Sequence, residues 1–338
     1  MKNPESWFAC MPKIELHLHL EGAIPIDALW RLLNKYGGDP KVSNLTALTD
    51  RFNYRSFQHF IETWIWKNGF LREYEDFEFV AEAVATRLFE QNVIYAEIFF
   101  SPGDFISKGL LPQKLTQAIR KGLSRVPEVE VALIADLVRD TPVNVAHSML
   151  RELAEVQELG LVGIGIGGSE KDHPPEPFAP VYQEAKELGF RTTAHAGEAD
   201  GPKSVWSALR MLHVDRIGHG VRAIEDQDLV RYLVAKQIPI EMCPISNVKT
   251  GVVGSLKEHP IRHFFDQGAL VTVNTDDPVM FGTTLSQEYE ALVNELRFSR
   301  EDVQTLVLNA VRASWMSDVR KSKMKERIIK ANQIRGCP

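Results

Sequence analysis

The sequence predicts an α/β fold of the (β/α)8 TIM-barrel class, one domain over residues 1–338 with a helical insertion after the first strand and C-terminal helices. Three observations carry this. Eight short β-like runs recur along the chain, the stretches between them carry apolar residues at helical spacing, and no Pro/Gly/Ser linker or charge block divides them. Eight such alternations in 338 residues suit a closed parallel barrel, with a doubly wound sheet as the competing arrangement.

The first run, Ile14 to Leu20, precedes a long insertion, residues 21 to 92. Within it Phe57, Phe60, Ile61, Trp64 and Ile65 fall at i, i+3, i+4 spacing, either as core packed on the barrel or as a lid over its mouth. Val93 to Phe100, Val129 to Leu137 and Leu161 to Gly168 read as the next three strands. Ala179 to Leu188 is a helix leading to Arg191 to Glu198, and Asp215 to Gly220 is the sixth strand. Glu225 to Lys236 is the helix before Pro239 to Asn247, and Leu270 to Asp277 is the eighth strand. Residues 284 to 335 read as terminal helices serving closure.

An apolar fraction of 44% with 25% charged residues excludes a disordered chain, a collagen-like repeat and a disulfide-stapled mini-protein. Cys10, Cys243 and Cys337 form no CxxC pair and read as scattered thiols of a reducing compartment, so a cytoplasmic location is expected. Pro4 and Glu5 stand where a signal peptide needs apolar residues, and no apolar run approaches the roughly 18 residues of a membrane helix. A net charge of −6 lacks the basic footprint of a nucleic-acid binder, and Arg320 to Lys330 reads as a solvated helix face. The expected partner is a small molecule, without nucleic acid or membrane.

Residues at the C-terminal ends of barrel strands converge on one face, where chemistry collects. The first strand finishes His17-Leu18-His19, and an offset of two puts both imidazoles on one side. The fifth ends His195-Ala196-Gly197-Glu198, the sixth Gly218-His219-Gly220 and the eighth Asn274-Thr275-Asp276-Asp277. Each alone has an ordinary account as a cap, a turn or a bonded core residue. Together they form a costly concentration of buried polar groups, which points to a site. The ligand set that follows is His17, His19, His195 and Asp276 around one divalent ion; these donors suit zinc, with iron, manganese or cobalt compatible by ligand type. Glu198, His219 and Asp277 are then free for proton transfer and substrate contact. His59, His147, His173, His213, His259 and His263 lie away from the strand ends and read as surface residues. The run Gly163 to Gly168 matches G-x-G-x-x-G, but Ser169 to Pro175 follows where a dinucleotide site needs a helix, so its glycines are read as letting substrate approach the backbone.

HLHLEG, HAGE, IGHG, MCPISN and NTDDP, in that order, strongly resemble the adenosine deaminase family of the amidohydrolase superfamily, from Pro12 to about Leu285. The resemblance implies zinc on His17, His19, His195 and Asp276, and Glu198 protonating purine N1. It also implies that His219 orients or deprotonates the attacking water, that Asp277 meets N7 and that the Gly168 N–H faces N3. His19, Glu21, Gly168 and Asp277 are the residues expected to touch substrate. The implied reaction is hydrolytic loss of ammonia from an adenine-containing nucleoside.

Two departures bear on the substrate. Glu21-Gly22 stands where adenosine deaminases commonly carry the Asp-Gly whose acid meets the ribose 5′-hydroxyl, and Gly165 replaces a common Asp, leaving more room. Adenine deaminases share the Glu-Gly ending and the His173-Pro174-Pro175 sequence, and aminodeoxyfutalosine deaminases are a second related group. The Gly168 position favours a nucleoside over adenine, and the wider pocket together with the Trp64-Ile65-Trp66 segment leaves a 5′-extended nucleoside open as a substrate. A metal-dependent ester, amide or phosphoester hydrolase on the same barrel and a non-catalytic purine binder are the competing readings.

Overall fold

A computed structural model describes residues 6–54 and 57–333, with the backbone alone at 57, 58, 332 and 333. Pro4, Glu5, Cys337 and the Phe57 side chain therefore lie outside the described residues. Eight strands pair side by side and all in parallel: β1 (Lys13–His19), β2 (Val93–Phe100), β3 (Glu130–Asp136), β4 (Leu161–Gly165), β5 (Arg191–Ala196), β6 (Arg216–His219), β7 (Ile240–Met242) and β8 (Val271–Val273). An isolated parallel bridge between Leu18 and Asp276 closes the ring between β1 and the segment after β8. This is the expected barrel rather than an open doubly wound sheet.

The strands are short apolar runs because helices outside and side chains inside cover both of their faces. β1 and β2 are buried along their whole lengths. Helices alternate with strands at the expected places, including Ala179–Glu187 and Gln227–Lys236. β7 and β8 are shorter than expected. Pro244, which has no N–H to give a ladder, instead starts the helix Pro244–Lys249, so MCPISN is a strand-to-helix turn. The insertion contributes Ile26–Lys35, Leu45–Asp50, Phe57–Asn68 and Tyr74–Glu90. The chain ends in Leu285–Leu296, Arg300–Ala313 and Asp318–Gln333; the middle helix packs on β8 and β1. Among the described residues no helix is long and apolar enough to cross a membrane. Cys243 is a buried free thiol, whereas Cys10 is disulfide-bonded, so the reading of the cysteines as thiols fails there.

Candidate active site

The seam that closes the barrel builds the centre of the site. His19 N–H donates to the Asp276 carbonyl at 2.9 Å, and Asp276 N–H to the His17 carbonyl at 3.0 Å. Asp276 takes φ +64°, a left-handed value rare for a residue with a side chain. Its Oδ1 lies 3.3 Å from His19 Nε2 and 3.7 Å from His17 Nε2. From across the barrel, β5 brings His195 Nε2 to 3.1 Å from His17 Nε2 and 3.2 Å from His19 Nε2. Burial holds all three imidazoles far below their usual pKa, with the neighbouring histidines adding to it, and His19 falls to about 3. They are therefore neutral, the form that ligates metal. Neutral rings cannot all share protons at these separations, so lone pairs face one another. A tetrahedron with arms of about 2.0–2.1 Å has edges of about 3.3 Å, close to the observed spacings, so the four donors fit a divalent ion.

A second layer orients these ligands. His17 Nδ1–H donates to Glu241 Oε2 at 2.8 Å, which leaves Nε2 as the lone-pair nitrogen. The other oxygen, Glu241 Oε1, sits 2.5 Å from Arg216 Nε, an ion pair off the hydrogen-bond direction, and Arg216 Nη1 donates to Glu97 Oε2 at 2.6 Å. All three charged groups are buried. Ser246 Oγ donates to Asp276 Oδ2 at 2.7 Å, turning Oδ1 towards the imidazoles.

The groups expected to transfer protons sit beside this centre. Buried Glu170 collects the backbone N–H groups of Gly197 at 2.5 Å, Glu198 at 3.1 Å, Ala199 at 2.7 Å and Asp200 at 2.9 Å, shaping the turn that carries Glu198. Burial first and the Glu170 charge second raise the Glu198 carboxyl to about 8. His219, also at positive φ, has its Nε2 3.6 Å from Glu198 Oε2. Its proton position follows from a buried chain. Ile261 N–H can only donate, to His259 Nδ1 at 3.2 Å; His259 Nε2–H then donates to Asn247 Oδ1 at 3.1 Å, and Asn247 Nδ2–H to His219 Nδ1 at 3.0 Å. Neutral His219 thus carries its hydrogen on Nε2, towards the site. His259 corrects the surface reading of the remaining histidines: it is 3% exposed.

Asp277 lines the cavity, and burial followed by the Asp276 charge raises it well above the carboxylate range. Gly22 makes room for it, since a β-carbon there would stand 1.7 Å from Asp277 Oδ1. Glu21 lies apart from the cavity lining: its Oε1 accepts from Ser101 N–H at 3.0 Å, and Lys67 Nζ donates to its backbone carbonyl at 2.6 Å. Lys67 is buried, and its charge opposes the rise at Asp277.

The cavity over these groups measures about 770 Å³. Phe60, Ile61, Trp64 and Ile65 of the Phe57–Asn68 helix wall one side, with Ile65 65% exposed. Trp66 instead turns away to donate to Asp39 Oδ2 at 2.8 Å. Gly167 and Gly168 line the cavity, while Gly163 and Gly165 do not. The space at Gly165 is filled by Phe99, whose Cε1 would lie 2.8 Å from a β-carbon there, so this departure does not widen the pocket. Asp136, at the end of β3, lines the cavity and went unnoticed in the sequence, as did Glu241, Arg216, Lys67, Glu170 and Asn247. The one local signal was Glu241 between Ile240 and Met242, a lone charge in an apolar strand.

The adenosine deaminase family profile matches residues 12–331. Adenine deaminase of Marinomonas sp. is 35% identical over 91% of this chain and 92% of its own. The structure of an adenine deaminase from Arthrobacter aurescens superposes with a TM-score of 0.90 at 33% identity, covering 95% of this chain and 98% of that one. A zinc-bound amidohydrolase from Burkholderia ambifaria gives 0.88 at 26% identity, covering 96% and 91%. A barrel whose strand ends gather three histidines and an aspartate, matched by that profile along nearly its whole length, belongs to the adenosine deaminase family.

Proposed function

We propose that this chain hydrolyses the 6-amino group of an adenine-type purine, releasing ammonia and leaving the 6-oxo purine. The observation that carries the proposal is Glu198, a carboxyl raised to about 8 and thus proton-bearing at neutral pH, beside a centre of three neutral imidazoles and Asp276. His17, His19, His195 and Asp276 would hold zinc, which when bound lets water attack at neutral pH. Glu198 gives its proton to N1 and relieves the resistance of the aromatic amidine carbon to attack. His219 presents Nε2–H to the site, which supports orienting the nucleophile over removing its proton. Asp277, whose protonated form burial favours, donates to N7, and the Gly168 N–H faces N3. Glu198, left as a carboxylate by its transfer to N1, takes the proton that water sheds on attack and passes it to the amine. The C6–N bond breaks, ammonia leaves, and the hydroxyl proton at C6 returns to Glu198.

The adenine deaminase relatives favour the free base as substrate. A nucleoside is the second reading, favoured by a cavity of about 770 Å³, larger than a bare purine needs. Ammonia release by zinc-replete protein from adenine, adenosine, 5′-methylthioadenosine and aminodeoxyfutalosine, ranked by kcat/KM, tests the assignment. A preference for adenine supports the leading reading. Metal-loaded protein inert towards all four overturns both.

A further inference from the structure

We propose that Asp136 is the residue that selects the free base, its outward carboxylate oxygen accepting the N9–H that a nucleoside lacks; this rests on the purine orientation proposed above. The Asp136 carboxylate is divided between two tasks. Oδ1 accepts from Gly167 N–H at 2.7 Å and Val138 N–H at 3.0 Å, tying the end of β3 to the end of β4. Oδ2 has no donor among the described residues, yet Asp136 is 4% exposed and lines the cavity. The nearest cation is committed elsewhere: Arg139 Nε donates to the Gly167 carbonyl at 3.2 Å, Nη1 to the His173 carbonyl at 3.1 Å and Nη2 to the His195 carbonyl. A carboxylate oxygen on the cavity wall loses its water when a purine binds and then needs a donor from the ligand.

The order of strands around the barrel places that oxygen at the right edge of the ring. Glu198 follows β5 and meets N1, Gly168 follows β4 and meets N3, and Asp277 follows β8 and meets N7. The purine perimeter runs N1, N3, N9, N7, so N9 points at the strand ends between β4 and β8, of which β3 is the one adjoining β4. The reach is short as well. Asp136 Oδ2 and the His195 ring atom Cε1 lie 2.7 Å and 3.5 Å from where a Gly167 β-carbon would stand, so the carboxylate borders the same gap as a metal-ligand imidazole. With donors supplied to N3 and N7, the free base carries its ring proton on N9 and needs an acceptor there. The other carboxylates on this side are otherwise engaged: Asp140 Oδ2 accepts from Ser169 N–H at 2.9 Å, and Asp104 bonds the Trp64 side chain. An alkyl or ribosyl group at N9 would leave Asp136 Oδ2 desolvated and unpaired, which rejects such substrates by more than lost contact alone.

The test uses full-length zinc-loaded protein and Asp136→Asn, which keeps an Oδ1 acceptor for both backbone N–H groups and turns the cavity-facing acceptor into a donor. Adenine and 9-methyladenine are compared by kcat/KM, and hypoxanthine and 9-methylhypoxanthine by calorimetric binding, which needs no turnover. Wild type is expected to prefer the N9–H member of each pair, and Asp136→Asn to shrink that preference about 10- to 100-fold with unchanged zinc content and melting temperature. Equal handling of the two members by wild type, or an equal loss for both in the variant, overturns the proposal. If Asp136→Asn does not fold, the wild-type preference in the binding pair still decides. Absence of ammonia from any purine would overturn the proposed reaction, while the binding pair would still judge Asp136.

Discussion

Glu241→Gln separates what orients the metal ligands from what merely fills the barrel. The carboxylate receives His17 Nδ1–H at 2.8 Å on one oxygen and stands 2.5 Å from Arg216 Nε on the other. Glutamine preserves the volume and can still accept from His17, so the ring stays in place but loses the negative charge that makes it a strong donor. Losing such an outer partner typically weakens metal binding 10- to 100-fold, or about 1.4–2.8 kcal/mol. Arg216 keeps Glu97 at 2.6 Å, so the metal-free fold should lose about 3 kcal/mol, the lower end of the cost of breaking a buried ion pair. Zinc affinity is read by competition with a chromogenic chelator, and stability by urea unfolding of the metal-free protein. A folded variant whose zinc affinity stays within twofold of wild type would refute the orienting role of Glu241.

Four further outcomes follow from the geometry. The proposed mechanism uses Glu198 in its protonated form, and its carboxyl sits at about 8, so kcat/KM should fall tenfold per pH unit above that value. Glu198→Gln should lose about 10²–10⁴ in kcat/KM with zinc retained and without that alkaline limb; full turnover would refute its role as acid. Gly22→Ala places a β-carbon where Asp277 Oδ1 now stands, so kcat/KM should drop at least tenfold while the fold persists, as read by steady-state kinetics beside circular dichroism. Gly165→Ala crowds Phe99 rather than the cavity, so it should cost about 1–3 kcal/mol in denaturant unfolding with little change in KM.

The order of elements and the converging residues were legible in the sequence because they depend on local pattern. Apolar runs separated by helical spacing announced eight βα units, and strand-end motifs announced His17, His19, His195 and Asp276. Boundaries failed where local chemistry overrode the run, as at Pro244, which starts a helix inside the expected seventh strand. What stayed hidden was everything made by contact between distant segments. Glu241 and Arg216 are separate charges in the sequence, but in the fold they join Glu97 and His17 in one buried chain. His259 gave no sign that it sets the His219 proton through Asn247. Gly165 suggested an open pocket until Phe99 filled the space, and Glu21, expected to touch substrate, lies apart from the cavity lining with one carboxylate oxygen on Ser101 N–H. The sequence by itself determined the barrel, the metal-binding donor types and the reaction class they resemble, since periodicity and motif order are properties of the chain. Tertiary structure alone decided the tautomer of His219, the raised carboxyl of Glu198 and the free oxygen of Asp136, because proton positions and desolvation depend on which distant groups are packed within a few ångströms.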